Sequence, residues 1–558
     1  MAVTHEVTNQ PPPLEGYDVF GADAALVEAV DREGAAWAAA DLHALGHLAG
    51  SAEAIEWGFA ANHNPPELRT HDRYGHRVDE VAYHPDYHEL MRVAVGHGLH
   101  AAPWVVAQPG AHVARAAGFV TWSQVEAGHG CPISMTYSIV PALRNEPDLA
   151  AVWEPRLAAR AYDPRNVPGH DKAGAVAGMG MTEKQGGSDV RANTTRAEPP
   201  GTVADVGDAG GRGRPPWRLT GHKWFCSAPM SDVFLMLAQA PAGLSCFLVP
   251  RWLPDGERNT GFRLVRLKDK LGNRSNASSE IELDGALAWP VGEEGRGVRT
   301  IIDMVAHTRL DCVLGATATI RQATAQALHH AAHRSAFGKT LVDQPLMQVV
   351  LADLAVESEA ATVTAMRLAR AFDDAARGEE GAEAFRRLAT AVGKYWVCKR
   401  QPTLVGEALE CLGGNGYVEE SIMPRLFRES PLNGIWEGSG NVICLDVLRA
   451  MAREPVALDA FMAELDAAAG ADPRLDAAVD RVRAELGDLD RIEARARRVV
   501  EAMALAFQGS LLVRFGHPAV ADAFLASRLA GDEGLALGTL PPGADVATII
   551  ERAHPKVA

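Results

Sequence analysis

The sequence predicts a multidomain α+β protein in four parts: an N-terminal helical domain, a central antiparallel β domain, a helical bundle and a further C-terminal helical segment. Two observations carry this expectation. Ala/Leu/Val-rich stretches with helical spacing fill both ends of the chain, whereas short β-branched and aromatic runs separated by turns occupy the middle. The length of 558 residues suits three or four domains at about 150 residues each.

Residues 1–174 read as helices separated by Pro- and His-rich loops, with 24–48 and 111–126 the clearest. Residues 175–292 carry the runs WRLTGHKWFCS, SDVFLMLAQ, SCFLVPRW, FRLVRL and SSEIELDGA without helical patterning between them, which predicts an antiparallel sheet or barrel. A Gly/Pro/Asp-rich insertion at 198–216 reads as a surface hairpin loop. After the Gly292–Gly295 turn, residues 293–450 return to helical spacing. Ile301, Met304, Val305, Leu310, Val313 and Leu314 mark one buried face, and Leu346, Val350 and Leu354 mark another. A third helix over 382–412 contains Pro402 and is expected to break or kink there. Long helices joined by short turns imply a bundle. Residues 451–558 are Ala- and charge-rich and mostly helical.

Composition narrows the function. With 54 Lys+Arg against 71 Asp+Glu, the net charge of −17 excludes a general polyanion binder and leaves only a local basic face. Apolar usage of 47% and charged usage of 22% exclude wholesale disorder. The residues MAVTHEVTNQPPP lack the basic start and apolar core of a secretory signal. No apolar run approaches the roughly 20 residues that span a bilayer. The seven cysteines, an odd number without a CxxC pair, argue against a disulfide framework and a zinc module. These features together predict a soluble cytoplasmic protein with no membrane partner and no metal.

Four segments carry candidate chemistry, and none is a P-loop or a strand–GxGxxG–helix. GMGMTEKQGGSD (178–189) offers small residues and hydroxyls that let backbone N–H groups approach a planar or anionic ligand, or it is a tight interdomain turn. HKWFCS (222–227) places two aromatics where they flank a ring system or fill a core. RSAFGK (334–339), followed by Gln344, puts an arginine at a helix end, where it clasps a phosphate or complements the helix dipole. LGGNGY (412–417) and IWEGSGN (435–441) bring a lone carboxylate, Glu437, beside an aromatic and a Gly-rich turn. In an apolar cleft such a carboxylate is a general base; elsewhere it is a surface turn residue.

In this order the four segments resemble the acyl-CoA dehydrogenase family of flavoproteins over residues 90–450. MTEKQGGSDVRANTTRAE (181–198), LKDKLGNRSNASSE (267–280), PRLFRESPLNGIWEGSGN (424–441), CLDVLR (444–449) and the extra C-terminal segment are most similar to its AidB, or alkylation-response, branch. The resemblance implies an α-domain, a β-barrel-like domain and a four-helix bundle, with FAD held between the last two. It implies that Met181, Thr182, Gly187 and Ser188 line the flavin and its ribityl chain, and that Phe225, Cys226 and Ser227 contact the isoalloxazine edge. Arg334, Phe337 and Gln344, with Gly413, Gly414 and Gly416, are expected to reach the FAD of a neighbouring subunit, which implies a homotetramer. Trp436 and Asn441 complete the expected cofactor contacts.

The family reaction removes hydrogens from Cα and Cβ of an acyl-CoA thioester. By resemblance Glu437 takes the α-proton, while Arg309 favours its ionised form. Two departures stand out: Glu410 replaces a common Gln, and the turn reads GSGN rather than GTxQ. Both put efficient turnover in doubt. The branch also implies duplex-DNA binding in the DNA alkylation response. Residues 446–558 hold 13 Lys+Arg against 18 Asp+Glu, a net of −5, which is a poor start for neutralising phosphates. The candidate DNA contacts are Arg491, Arg495 and Arg498, on one helical face by spacing, with Arg449 and Arg453. Three readings result: an AidB-like flavoprotein of weak or unknown acyl-CoA turnover that serves in alkylation defence, a metabolic acyl-CoA dehydrogenase without a DNA role, and a DNA-shielding protein with structural FAD.

Overall fold

The computed structural model describes residues 4–200 and 215–556, so 201–214 of the insertion expected at 198–216 lie outside the described residues. The chain forms two compact units. One comprises 1–55, 109–125 and 312–558; the other comprises 56–108 and 126–311.

The second unit is built on a seven-stranded sheet. Its strands are β3 (Ala177–Gly180), β4 (Arg196–Glu198), β5 (Trp217–Ser227), β6 (Val233–Ala240), β7 (Gly243–Pro250), β8 (Phe262–Leu267) and β9 (Ser278–Val291). They follow a hairpin of β1 (Glu67–His71) and β2 (Arg77–Ala82). The five central runs appear where their alternation and turns place them. Pairing closes the path β6–β4–β5–β9–β7 back onto β6, which makes a barrel. The expectation of a purely antiparallel sheet needs correction, because β3 and β4 both join β6 in parallel. Inside the barrel pack Leu219, Cys226, Phe234, Met236, Phe247, Phe262, Ile281 and Leu283. A Cβ on Gly178 would sit 2.4 Å from the Phe234 ring, so β3 can lie on β6 only with glycine at that position.

The β1–β2 hairpin falls in a segment whose sequence predicts helices. β1 buries no residue fully and β2 buries Asp79 and Val81, one of them charged, so the strands show no apolar period. The turn is nonetheless encoded, since the Asp72 carboxylate accepts the N–H groups of Tyr74 and His76 at 2.8 and 2.9 Å.

The first unit is helical. Its long elements are the latter part of Gly297–His333, then Pro345–Ala376 and Ala382–Cys411, with Gly440–Arg453, Pro455–Asp466 and Ile492–Phe515 packed around them. The C-terminal segment shares this core rather than standing apart. Phe385, Phe461 and Phe507 form one aromatic cluster with centroids 5.5 to 6.5 Å apart. Arg367 and Arg514 both donate to Glu464.

Two local expectations fail. Helix Ala382–Cys411 runs through Pro402 without a break, because buried residues line it on both sides of the proline and override the lost hydrogen bond. Leu346 is exposed, unlike Leu354, because it lies in the first turn of its helix beyond the packed region.

Helix Ala111–Ser123 makes a pH prediction. His112 is buried near its start, and burial, then Arg115 and Arg386, push its imidazole down to about 3. Above about pH 6.5 both the folded and unfolded forms are neutral and its contribution is complete. As pH falls below that value only the unfolded chain takes up the proton, so stability drops by up to about 1.4 kcal/mol per pH unit. Urea unfolding of His112→Gln is expected to show a flatter loss of stability between about pH 6.5 and pH 4 than the native chain shows.

Candidate active site

In the barrel unit the 178–189 segment leaves β3 and folds back on β5. The Trp224 N–H donates to the Thr182 carbonyl at 2.8 Å, and Asn193 Nδ2 donates to the Met181 carbonyl at 2.9 Å. A Cβ on Gly187 would sit 2.5 Å from Thr182 Oγ1, so this glycine lets the loop close on itself. Met181, Thr182 and Gly187 are half-buried and Ser188 is exposed. On β5, Phe225 projects outward at 47% exposure while Trp224 is half-buried, its ring 3.1 Å from Lys268 Nζ. Ser227 Oγ lies 3.1 Å from Ser278 Oγ. Cys226 departs from expectation: its side chain is sealed in the barrel core, which leaves only its backbone for a ligand. Burial also pushes that thiol up to about 12. Arg309 is half-buried in helix Gly297–His333.

Two charged residues inside these segments, one in 178–189 and one in 222–227, have no role in the family reading. Glu183 and Lys223 form an ion pair at 2.9 Å with both side chains at 0% exposure. The carboxylate also accepts from the N–H and Oγ1 of Thr194, the N–H and Oγ1 of Thr195, and Gln185 Nε2. Burial alone would raise the Glu183 carboxyl. Lys223 and these donors outweigh it and hold the group well below the usual carboxylate range. The signal for the pair is a charged residue at a barrel-facing position of a strand.

In the helical unit Arg334, Phe337 and Gln344 come together in one small hairpin, Ser335–Ala336 paired with Lys339–Thr340. Phe337 and Gly338 both have positive φ, 51° and 80°, the signature of a type I′ turn, and Phe337 stands fully exposed. The Leu341 N–H donates to the Arg334 carbonyl at 2.8 Å, and Gln344 Nε2 to the Ala336 carbonyl at 3.0 Å. Gly413, Gly414 and Gly416 form the 3₁₀ turn that ends helix Ala382–Cys411, with Glu410 exposed one turn before it. A Cβ added to Gly413 or Gly414 would meet nothing within 4 Å, so their backbone is open to a ligand. The N-terminal segment ties the two turns together. Asn9 exchanges hydrogen bonds with Ser335, its carbonyl accepts from Arg334, and Gln10 Oε1 accepts from Asn415 Nδ2 at 2.9 Å.

Glu437 follows the short turn Leu432–Gly434 and precedes helix Gly440–Arg453. It is half-buried and its φ is 56°, a left-handed backbone that a glutamate rarely adopts. Trp436 Nε1 donates to Asn433 Oδ1 at 2.9 Å. Asn441 is exposed and accepts from Arg497 Nε at 2.8 Å.

The expected three-arginine face is reduced to two. Helix Ile492–Phe515 begins after Arg491, whose left-handed backbone makes it the N-cap. Arg495 and Arg498 both pair with Glu485, at 2.6 and 2.7 Å. Arg449 lies 3.7 Å from Asp446, and Arg453 is exposed.

A closed barrel, a long-helix bundle and a half-buried carboxylate on a strained turn define an acyl-CoA dehydrogenase type of protein. Three family profiles match in tandem: adaptive response protein AidB N-terminal domain over 9–164, acyl-CoA dehydrogenase middle domain over 178–286, and acyl-CoA dehydrogenase C-terminal domain over 295–452. The putative acyl-CoA dehydrogenase AidB of Escherichia coli (strain K12) is 46% identical over 523 residues, 93% of this chain and 94% of its own. Acyl-CoA dehydrogenase family member 11 of Caenorhabditis elegans is 30% identical over 513 residues, 85% of this chain and 80% of its own. The crystal structure of C. elegans ACDH-11 in complex with C11-CoA superposes with a TM-score of 0.85 at 26% identity, covering 96% of each chain. An acyl-CoA dehydrogenase from Bacillus anthracis complexed with FAD shares the fold at a TM-score of 0.61 and 19% identity, covering 84% of this chain and 79% of its own. The chain belongs to the acyl-CoA dehydrogenase family of FAD-dependent oxidoreductases, in its AidB branch. Among the described residues no helix is long and apolar enough to cross a membrane, and no cluster of metal-ligating side chains occurs.

Proposed function

We propose that this protein binds FAD and dehydrogenates an acyl-CoA-type thioester, with Glu437 as the base that removes the proton from Cα. The observation that carries the reading is the backbone of Glu437: strain of this kind persists where a side chain must be aimed. The donor set fits FAD. The Met181–Ser188 loop and the outward Phe225 suit a flat ring, while Arg334, Gln344 and the open backbone at Gly413 and Gly414 suit phosphates. FAD, when bound, supplies the two-electron acceptor for the hydrogen leaving Cβ. Arg309 is the second catalytic residue, and Trp436 and Asn441 flank the base in sequence. The exposed apolar side chains Phe337, Leu346, Tyr417 and Ile435 support self-association into a homotetramer, in which the Arg334 hairpin serves a neighbouring subunit's FAD.

The test is anaerobic mixing of the FAD-loaded protein with a panel of acyl-CoAs. Flavin bleaching by at least one member is expected, and a protein that stays colourless when purified with excess FAD overturns the reading.

The match to the AidB N-terminal domain supports a physiological role in the DNA alkylation response. For duplex DNA the support is thin, because Arg495 and Arg498 are already paired with Glu485. Arg453 and Arg491 remain as exposed phosphate contacts. Two contacts per subunit predict a slope of log Kd against log salt no steeper than about 2 per subunit, measured by fluorescence anisotropy. Absence of binding at low salt removes DNA from the function.

A further inference from the structure

Lys394 sits in helix Ala382–Cys411 at 1% exposure, within a run of buried residues from Leu388 to Cys398. A lysine so placed has to be matched, since each of its three N–H donors loses water on burial. Its Nζ donates to two backbone carbonyls, that of Trp436 at 2.9 Å and that of Gly438. These are the residues on either side of Glu437.

The consequence is geometric. The peptide bond is planar and trans, so a carbonyl turned toward Lys394 turns the following N–H away from it. Two peptide planes are oriented in this way. Trp436–Glu437 leads directly into the Glu437 torsions, and Gly438–Ser439 lies one residue beyond them. The Glu437 φ of 56° is unfavourable for a residue with a Cβ and persists only where its surroundings over-determine it. The rest of the turn is pinned as well. The Trp436 indole is held by Asn433, and Gly438, at φ 108°, lies where a Cβ would meet Ile443 Cδ1 at 2.8 Å. Within this frame the two hydrogen bonds from Lys394 bracket the glutamate.

We propose that Lys394 is a positioning residue for the dehydrogenation: it clamps the backbone on both sides of Glu437, holds the left-handed turn and so aims the carboxylate at its proton. The proposal rests on the reading of Glu437 as the base. Lys394 acts through the backbone and touches neither substrate nor cofactor.

The test uses the full-length, FAD-loaded protein with Lys394→Met, which removes every donor, and Lys394→Gln, which keeps an N–H₂ group. In a crystal structure of Lys394→Met, Glu437 is expected to leave the left-handed region. FAD content and reduction by dithionite are expected to match the native protein, while flavin reduction by C11-CoA slows about 100-fold, the scale set by a displacement of about 1 Å. The C11-CoA concentration giving half-maximal rate is expected to stay within about threefold, and Lys394→Gln to recover at least about tenfold of the rate. The proposal is overturned if Glu437 keeps its φ in Lys394→Met, if half-saturation worsens in proportion to the rate, or if both variants lose FAD or fail to fold. Glu437→Gln run in parallel separates the two readings. Native-like bleaching by Glu437→Gln sinks the base assignment, whereas the Glu437 backbone in the Lys394→Met crystal structure tests the clamp independently of that assignment.

Discussion

Glu437→Gln is expected to slow flavin reduction by acyl-CoA about 10³-fold while leaving the visible flavin spectrum and FAD content unchanged. Glutamine keeps the shape and the hydrogen-bonding oxygen of the side chain but cannot take a proton at neutral pH. A positioned general base contributes about 10² to 10⁴ in rate. Because the turn is held through backbone groups by Lys394, the substitution does not release it, and acyl-CoA affinity should change by no more than about threefold. Stopped-flow absorbance of the oxidised flavin under anaerobic conditions gives both quantities. A native rate in this variant removes the glutamate from the chemistry, and with it the dehydrogenase reading of the turn. The same experiment separates the weak and the metabolic forms of that reading, since the native rate itself reports how well the GSGN turn supports turnover. Asn441, the last residue of that turn, is already hydrogen-bonded to Arg497, so its contribution to a cofactor would require it to serve two partners.

The parts of this molecule that are legible in the sequence are those governed by local pattern. The central strands, including all eleven residues of β5 from Trp217 to Ser227, are visible because apolar alternation and turns are properties of neighbouring residues. The hairpin Glu67–Ala82 is not, because the two positions its strands bury, Asp79 and Val81, include a charged residue and so leave no apolar period. Pro402 misleads for the complementary reason: its cost is local, but the packing that overrides it comes from other helices. The family motifs point to the Met181–Ser188 loop, the Arg334 hairpin and Glu437, yet not to what supports them. Lys394 and Lys223 are single charged residues whose partners lie 42 to 44 and 40 positions away. Asn9 meets Ser335 across 326 residues. No short window of sequence contains both halves of such a contact. A lysine inside the apolar run ATAVGKYWVC is the available clue, since a charge surrounded by buried side chains is retained only with a partner.

Breaking the Glu183–Lys223 pair is expected to be the most damaging single change in the barrel unit. Lys223→Met removes the positive charge but leaves a carboxylate at the centre of a buried cluster, with a cost of about 3–5 kcal/mol, because the remaining donors do not neutralise it. The pH dependence gives a sharper test than the magnitude. In the native protein Glu183 is held below its ordinary range, so its contribution is complete above the unfolded value and is lost as pH falls through the acid range. Without Lys223 the largest lowering influence is lost and burial is opposed by the remaining hydrogen bonds alone, so the group is expected to rise. A rise above the unfolded value makes the folded state bind a proton more tightly than the unfolded chain, and stability is then lost as pH rises. The deficit of Lys223→Met relative to the native protein should therefore be larger near about pH 8 than near about pH 5, by urea unfolding followed by tryptophan fluorescence. Adding Glu183→Gln should return part of the lost stability, because the double variant no longer buries a lone charge. Thr194, Thr195 and Gln185 close the Met181–Ser188 loop through the same carboxylate, so Lys223→Met should also weaken FAD retention by about tenfold at the higher pH, read by equilibrium dialysis. A deficit independent of pH, or FAD retention that survives the loss of stability, would show that the pair supports the barrel without organising the loop above it.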